Sequence, residues 1–188
     1  MDRARVPSRA LEEKLYELGR HVYVLDGDNI RHTLNGDLEF TSKDRQENVR
    51  RLGEVAALFV DSGIIVLTSV ISPFRADRDR ARNRIGPDRF CEVFIDAPLE
   101  LCEQRDPKGL YKLARSGNIA DFTGIFSPYE PPGNPEIVIP TSDVSIAEAV
   151  ELLLQMLRDR GAFEAPEPRA DARKQEPEPK PGSRPENR

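Results

Sequence analysis

The stretch Ile64-Ile65-Val66-Leu67-Thr68-Ser69-Val70-Ile71-Ser72-Pro73 decides the fold. Ile64 to Val70 is nearly all apolar and rich in β-branched residues, which reads as a strand buried on both faces of a parallel sheet. Gly63 stops the helix before it, and Phe74 to Ile85 reads as a charged helix after it. That preceding helix, Thr41 to Ser62, is the longest in the chain. Thr41 and Asp44 resemble a capping box, and Val49, Leu52, Val55, Ala56 and Phe59 form one apolar face. Toward the N-terminus, His21 to Leu25 is a short β-rich run preceded by a helix over Ser8–Leu18, whose stop signal is Gly19. Toward the C-terminus come a strand over Phe90–Ile95 and a helix opened by Pro98 at its first turn. A short strand over Glu136–Ile139 and an amphipathic helix over Ser145–Arg160 follow. Strands alternating with helices predict an α/β domain, a parallel sheet with helices on both faces.

Composition bounds the function. A chain of 188 residues suits one domain with a real core, and a net charge of −5 with no long basic run argues against a nucleic-acid partner. No segment approaches a membrane span. Cys91 and Cys102 are too few for a disulfide framework or a metal cluster; they read as small buried hydrophobes in a reducing, cytoplasmic setting. From Gly161 the character changes. Six prolines and twelve balanced charges fall within the last 28 residues, with Phe163 the only large apolar side chain. Burial there cannot offset ordering entropy, so residues 1–160 read as the domain and 161–188 as a disordered tail.

In α/β folds, ligands bind beyond the carboxyl ends of the strands. Asp26-Gly27-Asp28 and Ile71-Ser72-Pro73 both fall there. A carboxylate at that edge can orient a hydroxyl or hold a metal-bound water; an Asp-Gly turn reads equally well. Arg75 and Arg78 near the start of a helix oppose its dipole, which suggests an anionic ligand unless both are solvated. Arg45, Asn48 and Arg51 lie on neighbouring turns of the long helix, either as a phosphate or sulfate clamp or as a charged outer face. Phe40 and Phe122 sit in loops, where an aromatic ring stacks a base or anchors the loop. Lys108 opens a helix-like stretch through Leu110 and Tyr111 and can neutralise transferring phosphate. Gly117 to Pro135 is a long loop with four prolines, of the kind that closes over a site.

In order, the chain carries DGDNIRH (26–32), DRQENVRRLGEVA (44–56), ISPFRADRDRAR (71–82), RDPKGLYKLARSG (105–117), NIADFTGI (118–125) and PYEPP (128–132). Together these segments resemble the adenylylsulfate kinase family over about Arg9 to Gly161. The resemblance implies a P-loop-kinase-like fold and phosphorylation of the 3′-hydroxyl of adenylylsulfate by ATP and Mg2+, in sulfate assimilation. It implies a catalytic carboxylate at Asp28 with Asp26 beside it. Adenylylsulfate contacts are implied at Arg31, Phe40, Arg45, Asn48, Ile71, Ser72, Lys108 and Phe122, with Phe40 and Phe122 enclosing the adenine. Arg51 and Leu110 complete the candidate substrate-binding set. Ser72 matches a serine often given as a phosphoserine intermediate in the family, but direct in-line transfer is the simpler chemistry. The family is commonly dimeric.

The chain departs from the family in two places. Phe126 stands where the family usually has an aspartate. The phosphate-binding motif, GxxxxGK followed by Ser or Thr, does not occur; on the family spacing its lysine falls near Ala4, with Arg5 and Val6 at the hydroxyl positions. No ATP-binding residue is therefore assigned. The expectation is that the first, central strand lies outside this sequence and that the remaining four strands form two pairs flanking a gap. The alternative function on this reading is adenylylsulfate binding by a pseudokinase or a truncated gene product.

Overall fold

The computed structural model describes residues 5–39, 41–106, 109–119 and 121–164. Its elements are α1 (Arg5–Glu17), β1 (Val22–Asp26), α2 (Gly27–Arg31), α3 (Ser42–Asp61), β2 (Ile65–Ser69), α4 (Arg75–Ile85), β3 (Val93–Asp96), α5 (Leu99–Arg105), α6 (Leu110–Arg115), β4 (Ile137–Pro140) and α7 (Ile146–Asp159). Their boundaries follow local chemistry. The Thr41 side chain accepts from Asp44 N–H at 3.2 Å, and its hydroxyl meets the Asp44 carboxylate at 2.7 Å. Ser145 and Glu148 form a full capping box on α7. Gly63 ends α3 with φ 86°, a left-handed turn that a β-carbon would strain.

Alternation along the strands splits their side chains between two helical layers. Ile65 and Leu67 of β2, Val22 of β1, Val93 and Ile95 of β3, and Ile137 and Ile139 of β4 pack with Leu11 and Leu15 of α1 and Val150, Leu153 and Leu154 of α7. Val66 and Leu25 point the other way, into a cluster with Leu52, Ala56 and Ala57 of α3 and Ile85 of α4. Helices thus cover both faces, as expected for the α/β class.

β1 pairs with β2 in parallel, Asp26 opposite Ser69, and β3 pairs with β4 in parallel. Among the described residues the two pairs are not hydrogen-bonded to each other. One consequence is a correction. Ile65, Val66 and Leu67 are half-buried rather than enclosed, because β2 has a strand partner on one edge only. β3 also starts three residues later than the apolar run from Phe90 suggests. Pro98 is the cap of α5 and not its first residue. Phe163, read as part of the tail, packs on the α1/α7 core, and its carbonyl accepts from Arg20 at 2.7 Å. The rest of the predicted tail, from residue 165, lies outside the described residues.

Candidate active site

The carboxyl ends of β1 and β2 form the floor of the site. Asp26 ends β1, is buried, and caps α2 by accepting from Asp28 N–H at 3.0 Å. This capping turns the chain sharply and sets Asp28 in the first turn of α2, half-buried. Gly27 makes the turn possible. A β-carbon there would stand 3.2 Å from Val70 Cγ1 and 3.5 Å from the Ser69 carbonyl. Ser69, register partner of Asp26, is buried with its hydroxyl unpartnered. Two residues beyond Val70, Ser72 adopts φ 39°, a left-handed conformation that costs a non-glycine residue about 1 kcal/mol. Ile71 stands exposed beside it.

A second wall carries positive charge. Arg45, in the first turn of α3, donates to the Thr123 hydroxyl and the Asp121 carbonyl, and so fastens the 121–127 loop to the helix. Arg31, at the end of α2, donates to the Glu39 carbonyl at 3.0 Å. Burial lowers the pKa of both guanidiniums. The charge of Arg31 lowers Arg45 further, whereas Asp44 and Asp28 pull Arg31 the other way. Two half-buried cations, one within the field of the other, are a candidate place for an anion. On the loop, Phe122 meets Tyr111 of α6 edge-on, with ring centroids 5.0 Å apart. Leu110 and Phe126 are exposed nearby in sequence.

Other candidate residues are engaged within the fold. Asn48 is buried, and its Oδ1 accepts from the fully buried Asn35 at 2.9 Å. Arg51 grips both oxygens of Asp37, at 2.6 and 2.8 Å, and reaches Glu47 at 2.9 Å. Hydrogen bonds from Arg50 and then from Arg51 bring Glu47 down to about 2, and the bonds to Asp37 and Glu47 push Arg51 above its ordinary value. The Arg45–Asn48–Arg51 row therefore divides: Arg45 turns to the 121–127 loop, and Asn48 and Arg51 brace the 32–37 segment. The glutamate–arginine pair at i, i+4 was readable in the sequence. Arg75 and Arg78 also have protein partners. Glu130 supplies its carboxylate to Arg75 N–H at 2.7 Å, and Glu92 meets Arg78 at 2.6 Å, so the anion at the start of α4 is the chain's own. Phe40 and Lys108 lie outside the described residues. Among the described residues, no group of three metal-ligating side chains assembles.

Thr123, Tyr111 and Glu130 lie within the family-like segments without an assigned role, and Asn35 lies outside them; each acts through a contact distant in sequence.

Comparison with known proteins bears on the family and the fold. The adenylylsulphate kinase family matches residues 5–140. A probable adenylyl-sulfate kinase of Halalkalibacterium halodurans is 57% identical over 150 residues, covering 80% of this chain and 74% of that protein. The adenylyl-sulfate kinase of Aeromonas salmonicida is 58% identical over 149 residues, covering 79% and 76%. In structure, the chain is similar to the Mycobacterium tuberculosis APS kinase solved with AMPPNP and APS. The TM-score is 0.79 at 46% identity, over 84% of this chain and 93% of that one. Sequence motifs, layer order and relatives agree, and the chain belongs to the adenylylsulfate kinase family.

Proposed function

We propose that this chain transfers the γ-phosphoryl group of ATP to the 3′-hydroxyl of adenylylsulfate, giving ADP and 3′-phosphoadenylylsulfate. The observation that carries the reading is the half-buried Arg31, one short helix beyond the strand end where Asp26 and Asp28 lie and within the charge field of Arg45. In this reading the two guanidiniums hold the phosphosulfate of the acceptor. Phe122, propped by Tyr111, offers a ring face to the adenine, and Ile71 and Leu110 add apolar walls. Phe40 and Lys108 join the set by family resemblance alone.

The acceptor hydroxyl oxygen bonds to the γ-phosphorus as the bond to the β–γ bridging oxygen breaks. The electron pair leaves on ADP, and the hydroxyl proton passes to Asp28. Ser72 sits near the acceptor and need not be phosphorylated for this in-line step. Asp26 and Asp28 are hard oxygen donors at one strand end, which fits Mg2+ held by one or two carboxylates together with substrate phosphates. Bound there, Mg2+ would neutralise charge on the transferring phosphoryl group. A homodimer belongs to the same proposal, by family resemblance.

The test is a coupled assay for ADP release with adenylylsulfate as acceptor. Release that depends on adenylylsulfate supports the reading; release equal to that without acceptor contradicts it.

A further inference from the structure

Arg78 is the most heavily engaged buried cation among the described residues, and the proposed chemistry gives it no part. It is 7% exposed. Its Nε donates to Glu92 Oε1 at 2.6 Å, one terminal nitrogen donates to the Ser72 carbonyl at 2.6 Å, and the other donates to the Glu130 carbonyl at 2.7 Å. The guanidinium also lies 5.8 Å from the centre of the Tyr129 ring. Three acceptors from three segments thus share one planar fork.

Around that fork the Ser72 turn and the 129–131 segment are joined at further points. Glu130 N–H donates to the Pro73 carbonyl at 2.9 Å, the Glu130 carboxylate accepts from Arg75 N–H at 2.7 Å, and Arg75 Nε donates to the Pro131 carbonyl at 2.6 Å. Ser72 itself is in a left-handed conformation. A strained turn persists when its surroundings over-determine it, and here the bond to its carbonyl comes from Arg78.

We propose that Arg78 is a positioning residue that locks the Ile71–Pro73 turn to the Tyr129–Pro131 segment, so that the acceptor side of the site is preformed. The proposal rests on the adenylylsulfate kinase reading for its consequence and on geometry for the lock itself. Lysine cannot replace arginine here, because an ammonium on a flexible stem does not present three donors in one plane.

The experiment compares the full chain with Arg78→Lys and Glu92→Gln by hydrogen–deuterium exchange and by steady-state kinetics in both substrates. Exchange over 71–75 and 127–133 is expected to rise about tenfold in Arg78→Lys while α1 and α7 stay unchanged, a local opening and not a global one. KM for adenylylsulfate is expected to rise about tenfold with KM for ATP held within about twofold. Unchanged exchange in a folded Arg78→Lys protein overturns the lock. Equal rises in both KM values overturn the positioning role. Should Arg78→Lys fail to fold, Glu92→Gln, which weakens the contact that anchors the Arg78 Nε, must raise exchange over the same peptides, or the proposal fails. A wild-type chain inactive on adenylylsulfate overturns the functional reading, while the exchange result still decides the lock.

Discussion

Arg45 of α3 hydrogen-bonds to Thr123 and to the Asp121 carbonyl, 78 and 76 residues downstream, so one guanidinium holds the 121–127 loop to the first turn of a helix. The same group is desolvated and stands within the field of Arg31. Loop attachment and anion attraction thus meet in one side chain.

Arg45→Ala is expected to reduce kcat/KM for adenylylsulfate by about 100-fold, as for loss of a charge-assisted contact of about 2–3 kcal/mol. Arg45→Lys should recover part of this through its charge. Steady-state kinetics with adenylylsulfate varied at saturating ATP would check both.

Ser72→Ala keeps the left-handed turn and removes the hydroxyl. With in-line transfer, it should retain at least about a tenth of wild-type kcat, and no phosphoenzyme should be trapped on acid quench from labelled ATP. A loss of about a thousandfold or more, with a wild-type phosphoserine, would favour the covalent route instead.

Gly27 is close-packed against Val70. Gly27→Ala should cost about 1–2 kcal/mol by overpacking. The second substitution Val70→Ala should restore much of that, because the obstructing atom is Val70 Cγ1 and not backbone. Urea denaturation of the two single variants and the double variant measures the coupling.

Asn35 is fully buried with its amide on Asn48. Asn35→Ala leaves a buried acceptor unpaired and should destabilise the fold by about 1–3 kcal/mol, visible as a lower Tm. The 32–37 segment should loosen with it.

Glu136 links the starts of β3 and β4 to α4 and α7. It bonds Arg82 at 2.6 and 2.9 Å and Arg160 at 2.9 Å. Burial alone would raise its carboxyl, but the Arg82 hydrogen bonds and charge outweigh burial and bring it down to about 2. A carboxylate with a depressed folded pKa contributes stability above its unfolded value, near 4.5, and loses it as pH falls toward about 2. Glu136→Gln should therefore flatten the loss of stability between about pH 5 and pH 2, a difference of about 2 kcal/mol. Denaturation midpoints across that range would show it.

The elements were legible where local chemistry is strong. The strand in the β-branched run at Ile64–Val70, the Thr41 cap and the glycine stops at Gly19 and Gly63 read correctly from neighbours in sequence, though not the burial of that strand. The five-residue helix α2 was not, because it carries less than two turns of periodicity and is fixed by the Asp26 cap. Toward the candidate site, the position of Asp26, Asp28 and Ser72 at the carboxyl ends of β1 and β2 was legible from the strand pattern. Arg78 was misread as an anion-binding candidate because Glu92 and Glu130, 14 and 52 residues away, are invisible to a local pattern. Arg51 was read either as an anion clamp or as part of a charged outer face, and its partner Glu47, one turn away, was on display.

The most direct measurement of the central claim is phosphoryl transfer from ATP to adenylylsulfate by this chain, followed by separation of the nucleotide products. The account predicts 3′-phosphoadenylylsulfate formed in equal amount with ADP, and its loss in Asp28→Asn. ATP consumption without that product, or product formation undiminished in Asp28→Asn, would contradict it.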